Sequence, residues 1–209
     1  MADATCKKCR RAGGKLFLKG DRCFGQKCAM VKRPDPPGIH GKGGRKRRGG
    51  GSEYGKQLAE KQRVKRTYGV LERQFAKYVR DAIAEKKDTR EIFMRRLETR
   101  LDNVVFRLGW AKSRAMARQL VNHGHILVDD KRVDIPSYQT KKGQIIKLRP
   151  RIKESNLMKD LVATLKKYET PAWISLDKEK LEGKILNVPT AEDLGDLNPA
   201  SLVVEFYSR

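Results

Sequence analysis

The chain has 209 residues and a formal net charge of +23, from 48 Lys+Arg against 25 Asp+Glu. Its length allows one or two domains with a modest core, and so much charge of one sign calls for an anionic partner to offset self-repulsion. No apolar run approaches the roughly 20 residues that span a bilayer, and the first basic stretch is too rich in glycine for a basic amphipathic helix lying on a membrane.

The charge falls in blocks. Residues 1–66 carry 20 Lys+Arg against 5 Asp+Glu, and residues 99–153 carry 13 against 4. Residues 67–98 hold 8 against 6, and residues 170–209 hold 4 against 7. Two basic blocks are thus set off by near-neutral or acidic flanks. Met-Ala-Asp-Ala-Thr leads straight into Cys6 and Lys7 without a secretory pattern, so a reducing cytoplasm is expected, where cysteines favour metal binding over disulfides.

The first element is a cysteine module, Cys6-x2-Cys9-x13-Cys23-x4-Cys28. A pair of thiolates two residues apart grips one side of a tetrahedral ion from a tight turn, and a second pair completes a four-sulfur site. Lys7, Lys8, Arg10 and Arg11 beside the first pair favour the thiolate form. Four protein ligands leave no open position, so the site is read as structural, and metal binding supplies folding free energy that Leu16, Phe17 and Leu18 are too few to provide. Zinc is the expected occupant; an iron–sulfur cluster suits four thiolates equally.

Residues 29–51 follow as a Pro- and Gly-rich arm. Lys42, Arg45, Lys46, Arg47 and Arg48 place five cations within seven residues, a pattern for a segment that orders on phosphates. Ser52 then caps a helix running to about Thr67, with Lys56, Arg63 and Arg66 as candidate phosphate contacts and Gly69 at its end. Leu71, Phe75, Val79 and Ile83 mark the apolar face of a second helix. Phe93, Leu97, Leu101, Val104 and Leu108 mark that of a third, expected from Thr89 to Gly109. Glu72, Asp81 and Glu85 are expected to pair with Lys or Arg.

Ser113 caps a short helix with Ala117, Leu120 and Val121 inward, ending at Gly124. Alternation of Ile126 with Val128 and of Val133 with Ile135 around Asp129-Asp130, then Ile145, Ile146 and Leu148 after Gly143, predicts short strands. Residues 155–168 return to helix, and 184–188 and 202–207 read as strand-like. Arg114 and Arg118 share the polar face of the short helix, Lys131 and Arg132 follow the strand turn, and Lys141 and Lys142 precede Gly143. Together with His123 at the helix end they form a second candidate RNA-binding set, suited to phosphate and sugar contacts on a structured RNA. His123-x-His125 is better read as a helix-end pair than as a metal site, since no further ligand cluster stands nearby.

No catalytic constellation appears. Gly41-Lys42-Gly43-Gly44 lacks the phosphate-loop pattern and a preceding strand; no Ser-His-Asp order reads as a triad, and no HExxH is present. An RNA-modifying enzyme using a small RNA-targeting domain would need a further catalytic domain, and a cysteine-module DNA binder would need a recognition helix where the Pro/Gly-rich arm stands.

The run Arg100-Leu101-Asp102-Asn103-Val104-Val105-Phe106-Arg107-Leu108-Gly109, then Ser113-Arg114, Ala117-Arg118-Gln119-Leu120-Val121 and His123-Gly124-His125-Ile126, resembles the RNA-binding domain named after bacterial ribosomal protein S-four. Residues 6–28, Arg33-Pro34-Asp35-Pro36-Pro37-Gly38, Tyr54-Gly55, Tyr68-Gly69, residues 173–177 and Glu205-Phe206-Tyr207-Ser208-Arg209 extend the likeness to the full-length family, in its zinc-finger-containing form. The resemblance implies an α+β chain, a mainly helical domain with an inserted small α/β RNA-binding domain and an N-terminal four-cysteine metal module. The expected divisions are 1–51, 52–98, 99–162 and 163–209. It further implies a non-enzymatic bacterial ribosomal protein, bound as a monomer in the cytoplasmic ribosome. Such a protein is a primary binder of small-subunit ribosomal RNA that nucleates assembly of the subunit body, adjoins ribosomal protein S-five at an interface affecting decoding accuracy, and lies near the mRNA entrance. One departure is the hairpin turn, where the family often carries Asn-Gly and this chain has Asp129-Asp130, placing two carboxylates beside Lys131 and Arg132.

Overall fold

The computed structural model describes residues 3–38, 52–85, 87–153, 165 and 168–208. Lys42, Arg45, Lys46, Arg47 and Arg48 lie outside them, as does most of the helix expected over 155–168. The chain divides into two compact units, Met1–Phe93 with Asp196–Arg209, and Met94–Gly195. Among the described residues no helix is long and apolar enough to cross a membrane.

The first unit is helical: α1 (Asp3–Ala12), α2 (Ala29–Lys32), α3 (Glu53–Tyr68), α4 (Glu72–Ala84) and a C-terminal helix, Asn198–Tyr207. The ends of α3 follow from its capping residues. The Ser52 hydroxyl accepts the Gly55 N–H at 3.2 Å, and Gly69 adopts φ 63°, the left-handed conformation that closes a helix at low steric cost. In α4, Phe75, Tyr78, Val79 and Ala82 are buried, and Phe75 meets Phe93 edge-on at 5.2 Å. The apolar stripe is shorter than its spacing suggests: Leu71, the extended residue before the helix, is 79% exposed, and Ile83 is also exposed.

Residues 202–207 form helix rather than strand. The β-branched pair Val203-Val204 favours strand locally, but Pro199 opens a helical first turn and burial of Ala200 and Val203 decides the conformation. This helix packs chiefly on α3. It lays Phe206 and Tyr207 over the Lys61 ammonium, 4.4 and 5.4 Å from the ring centroids. Lys61 is buried and donates to Glu72 Oε1 at 2.7 Å, Lys65 donates to the other oxygen, and the Tyr207 hydroxyl donates to Oε1 at 2.6 Å.

Burial alone would raise the Glu72 carboxyl, but the hydrogen bonds from Lys61, Lys65 and Tyr207 outweigh it and hold the group down to about 2. Burial and the hydrogen bond to Glu72 push the Tyr207 phenol up. Since the folded Glu72 value lies below the unfolded one, its contribution is complete above about pH 4.5 and fades as pH falls toward 2. Glu72→Gln is therefore expected to lower the urea midpoint at neutral pH and to converge with the parent near pH 2. Because nearly half of this side chain meets solvent, the gap corresponds to about 1 kcal/mol or less. A gap that persists unchanged to pH 2 would mean the carboxylate charge is not its source.

The second unit opens partway along α5 (Thr89–Glu98), continues through α6 (Leu101–Arg107) and α7 (Arg114–Asn122), and then forms an antiparallel sheet. Its strands are β1 (Ile126–Val128), β2 (Lys131–Arg132), β3 (Ile145–Leu148), β4 (Ile174–Asp177) and β5 (Glu182–Ile185), in the order β2-β1-β3-β5-β4. Ile126 faces Leu148 across β1 and β3, Ile146 faces Gly183 across β3 and β5, and Ile174 faces Ile185 across β4 and β5. The sheet draws in residues 174–185, so this unit runs past the division expected at 162. Leu101, Val104, Leu108, Val121, Ile126 and Ile146 are fully buried in its core, together with Trp110. At Gly183 the backbone comes close to the core: an added Cβ would stand 2.5 Å from a Leu108 methyl, and Leu108 would have to move to admit it.

The single helix expected from Thr89 to Gly109 is broken in two. Arg100 turns extended, φ −63° and ψ 137°, and bridges to Gln139. The segment 136–140 supplies what the interrupted helix lacks. The Tyr138 and Pro136 carbonyls accept the Leu101 and Asp102 N–H groups at 2.8 and 3.2 Å, and the Thr140 N–H donates to the Thr99 carbonyl at 2.9 Å. The apolar stripe runs on through the break, but its two ends serve different units: Phe93 packs on Phe75 in the first, and Leu101, Val104 and Leu108 lie in the core of the second.

The break also seats a buried polar layer. Arg100, 2% exposed, donates Nε and Nη2 to the two oxygens of Asp102, itself 3% exposed. Arg107 forks onto Glu98 at 2.9 and 2.8 Å, and Asn103 Nδ2 donates to the same carboxylate at 2.8 Å.

Candidate metal module and nucleic-acid interface

Cys6 and Cys9 lie three apart on α1, so a helix face, not a tight turn, presents them. Cys23 closes a 3-10 turn (Gly20–Cys23), and Cys28 is the residue from which α2 starts. All four line one cavity of about 20 Å³, room for one small occupant. The Lys19 N–H donates to Cys23 Sγ at 3.3 Å, and the Leu16 N–H donates to the Cys9 sulfur. Backbone donors aimed at sulfur suit thiolates that hold a cation.

The Cys9 thiol lies above its ordinary value. Burial, followed by the other three cysteines, pushes it up, against the Leu16 hydrogen bond. Among the described residues no group of three or more His, Cys, Asp or Glu side chains stands in an arrangement that could hold a metal ion as it is.

Two clefts flank α1. Lys7, Arg10, Arg22, Lys27, Lys32 and Arg33 border one of about 330 Å³. Arg10 is fixed there by donating Nε to the Asp35 carbonyl at 2.7 Å. Lys7, Lys8, Arg11 and Arg66 border the other, of about 410 Å³. Arg66 is thus brought to the cysteine module, while Lys56 and Arg63 lie on exposed surface with Glu53 and Glu60 as neighbours.

In the second unit, the Ser113 hydroxyl caps α7 by accepting the Met116 N–H. Arg118 donates Nε and Nη2 to Asp102 at 3.0 and 2.7 Å. Arg114 donates to Asn103 Oδ1 and stacks 4.6 Å above the Phe106 ring. Both arginines therefore tie α7 to α6, a role their i, i+4 spacing does not reveal.

The hairpin turn forms with Asp129 at φ 49° and Asp130 at φ 62°. Its carboxylates are engaged away from β2: Asp129 accepts the Ile145 N–H and Gln144 Nε2, both at 2.9 Å, and Asp130 accepts from Lys147 at 2.8 Å. Lys131 stays exposed, and Arg132 stands 3.7 Å from Asp134. The turn bearing Lys141 and Lys142 is tethered to the hairpin turn, since Gln144 Oε1 accepts the Lys141 N–H while its amide reaches Asp129.

At the end of α7, Gly124 (φ 67°) is crowded by Arg132, whose Nε lies 2.2 Å from where a Cβ would stand, and Arg149 donates to the Gly124 carbonyl. His123 and His125 flank this corner, rings 5.9 Å apart. Burial, then His123, Arg149, Arg151 and Arg132, push the His125 imidazole below its ordinary value. Arg149 and Arg151 join this cationic corner although sequence patterning does not single them out. Their position after β3 becomes visible only once β3 pairs with β1.

Comparison with known proteins matches the chain in two consecutive parts, which meet close to the boundary between the two units. Residues 1–98 match the family described as Ribosomal protein S4/S9 N-terminal domain, and residues 99–146 match the S4 domain. The small ribosomal subunit protein uS4 of Dictyoglomus turgidum is 50% identical over 204 residues, 98% of this chain and 96% of the relative. That of Thermotoga petrophila is 48% identical over 206 residues, again 98% and 96%. The uS4A protein of Alkaliphilus oremlandii is 50% identical over 208 residues, 99% and 98%. With both parts matched in order and half of the residues shared along nearly the whole length, the chain belongs to the uS4 family of bacterial small-subunit ribosomal proteins.

Proposed function

We propose that this chain is a structural constituent of the small ribosomal subunit that binds small-subunit ribosomal RNA. The near-full-length likeness to uS4 proteins carries the reading, and the family is one of structural proteins, not enzymes. Its placement is on the ribosome. Phosphate contacts are assigned to the cationic corner at His123 and Arg132, to Lys131, Lys141 and Lys142, to Arg114 and Arg118 where they emerge from their α6 anchors, and to Lys56, Arg63 and Arg66. The arm cations Lys42, Arg45, Lys46, Arg47 and Arg48 add to them. Basic blocks with few acids nearby, and hairpin carboxylates already engaged, support that assignment.

At a finer level, the protein nucleates assembly of the subunit body as a primary RNA binder. It adjoins ribosomal protein S-five at a contact that tunes decoding accuracy and lies near the mRNA entrance. Cys6, Cys9, Cys23 and Cys28 hold one structural zinc ion, which would lock the two ends of the module together. The small shared cavity and the backbone donors to sulfur support one ion over an iron–sulfur cluster.

The RNA reading is tested by titrating the full chain against a small-subunit ribosomal RNA transcript at several salt concentrations. Neutralising 6–10 phosphates should lower affinity roughly 10³- to 10⁵-fold between 50 and 200 mM salt. Equal affinity for random duplex DNA at physiological salt, or loss from small subunits in a moderate salt wash, would overturn it.

A further inference from the structure

Two aromatic side chains of the cysteine module are left uncovered. Phe24 is 74% exposed and Phe17 is 41% exposed, and their rings pair at 5.0 Å with a 30° tilt. Phe17 sits at φ 50°, a left-handed conformation that a bulky residue adopts only when its surroundings enforce it. The neighbouring Leu16 is buried in the module while Phe17 is not, so the strained turn holds an aromatic face at the surface.

The setting is cationic. Residues 5–33 contain ten Lys or Arg and a single carboxylate, Asp21. Arg22 and Lys27, either side of Phe24 in the chain, border the cleft of about 330 Å³ that Lys7, Arg10, Lys32 and Arg33 also line. A short segment therefore carries both an exposed aromatic pair and cations. That combination recognises unpaired nucleotides: phosphates meet the cations, and a base lies on the π-face. A duplex offers no base face, and an apolar protein surface has no use for so many cations.

We propose that Phe17 and Phe24 form a stacking platform for an unpaired base of ribosomal RNA, with Arg22 and Lys27 holding its phosphates. The proposal rests on the RNA-binding reading above and specifies the kind of RNA element that this module takes.

The test uses the full chain, a small-subunit ribosomal RNA transcript and fixed salt, with Phe24→Ala, Phe24→Leu and Phe24→Trp compared with the parent. Phe24 is exposed enough that all three should fold, as circular dichroism would verify. Phe24→Ala should weaken binding about 5- to 100-fold with an unchanged salt slope, since one stacked base and no phosphate is lost. Phe24→Trp should restore affinity, and Phe24→Leu, apolar without a π-face, should not. A Phe24→Leu chain that binds like the parent would overturn the platform. So would a Phe24→Ala chain that binds RNA normally, including one whose reconstituted subunits lack a neighbouring protein, which would assign the patch to a protein. If the parent itself does not bind the transcript, the RNA-binding reading fails first.

Discussion

Asp102→Ala should destabilise the second unit by about 3–5 kcal/mol, the scale for removing one partner of a buried charge pair. Asp102 accepts from Arg100 and from Arg118, and Arg100 is among the most deeply buried side chains in the chain. Without the carboxylate, a guanidinium remains in the core with its principal counter-charge gone. Urea unfolding of the full chain, followed by Trp110 and Trp173 fluorescence in the second unit, gives the measurement. Asp134→Ala is the matching control: Asp134 stands 3.7 Å from Arg132 at the surface of the same unit, with both side chains more than half exposed, and its loss should leave the midpoint nearly where it was. Equal midpoint shifts in the two variants would show that the buried layer is no more important than a surface pair.

The second large effect is expected in the cysteine module. Native protein should carry one zinc equivalent by elemental analysis, and a strong chelator or Cys9→Ser should unfold residues 6–28, read as loss of amide protection there. Structural zinc in small modules contributes roughly 10–16 kcal/mol near neutral pH, far more than the few buried apolar side chains here supply. Because burial and the neighbouring cysteines raise the Cys9 thiol, loading the site displaces a proton against that preference, so zinc uptake should weaken as pH falls. Protein free of zinc and iron whose residues 6–28 remain protected would remove the metal from the account.

Local rules read the ends of elements well. Ser52 and Gly69, and Ser113 and Gly124, delimit α3 and α7 because capping depends on one residue and its immediate neighbours. Asp129-Asp130 turns where alternation places a turn, although neither residue is glycine. The side-chain bonds to Ile145, Gln144 and Lys147 fix that turn from outside the hairpin. What sequence patterning misreads is set by distant partners. Nothing within Thr89 to Gly109 announces the break at Arg100, since the bridging residue is Gln139. Residues 202–207 look like strand until α3 offers a surface that rewards helix. Arg114 and Arg118 read as a solvent-facing pair, and only the folded unit shows their anchors at Asn103 and Asp102. The cationic charge is legible in advance; how firmly each cation is held is not.

The broken helix bears on synthesis as well as on the finished unit. The first amides of α6 find their acceptors at Pro136 and Tyr138, more than thirty residues downstream. A chain emerging from a ribosome presents α6 well before those carbonyls, so its opening turn must wait, solvated, until the later segment arrives. The bridge at Arg100 likewise waits for Gln139, so the junction between α5 and α6 is completed only after residues 136–140 have been made. Among relatives differing in the segment 136–140, the interval before α6 gains protection should vary more than the final stability does.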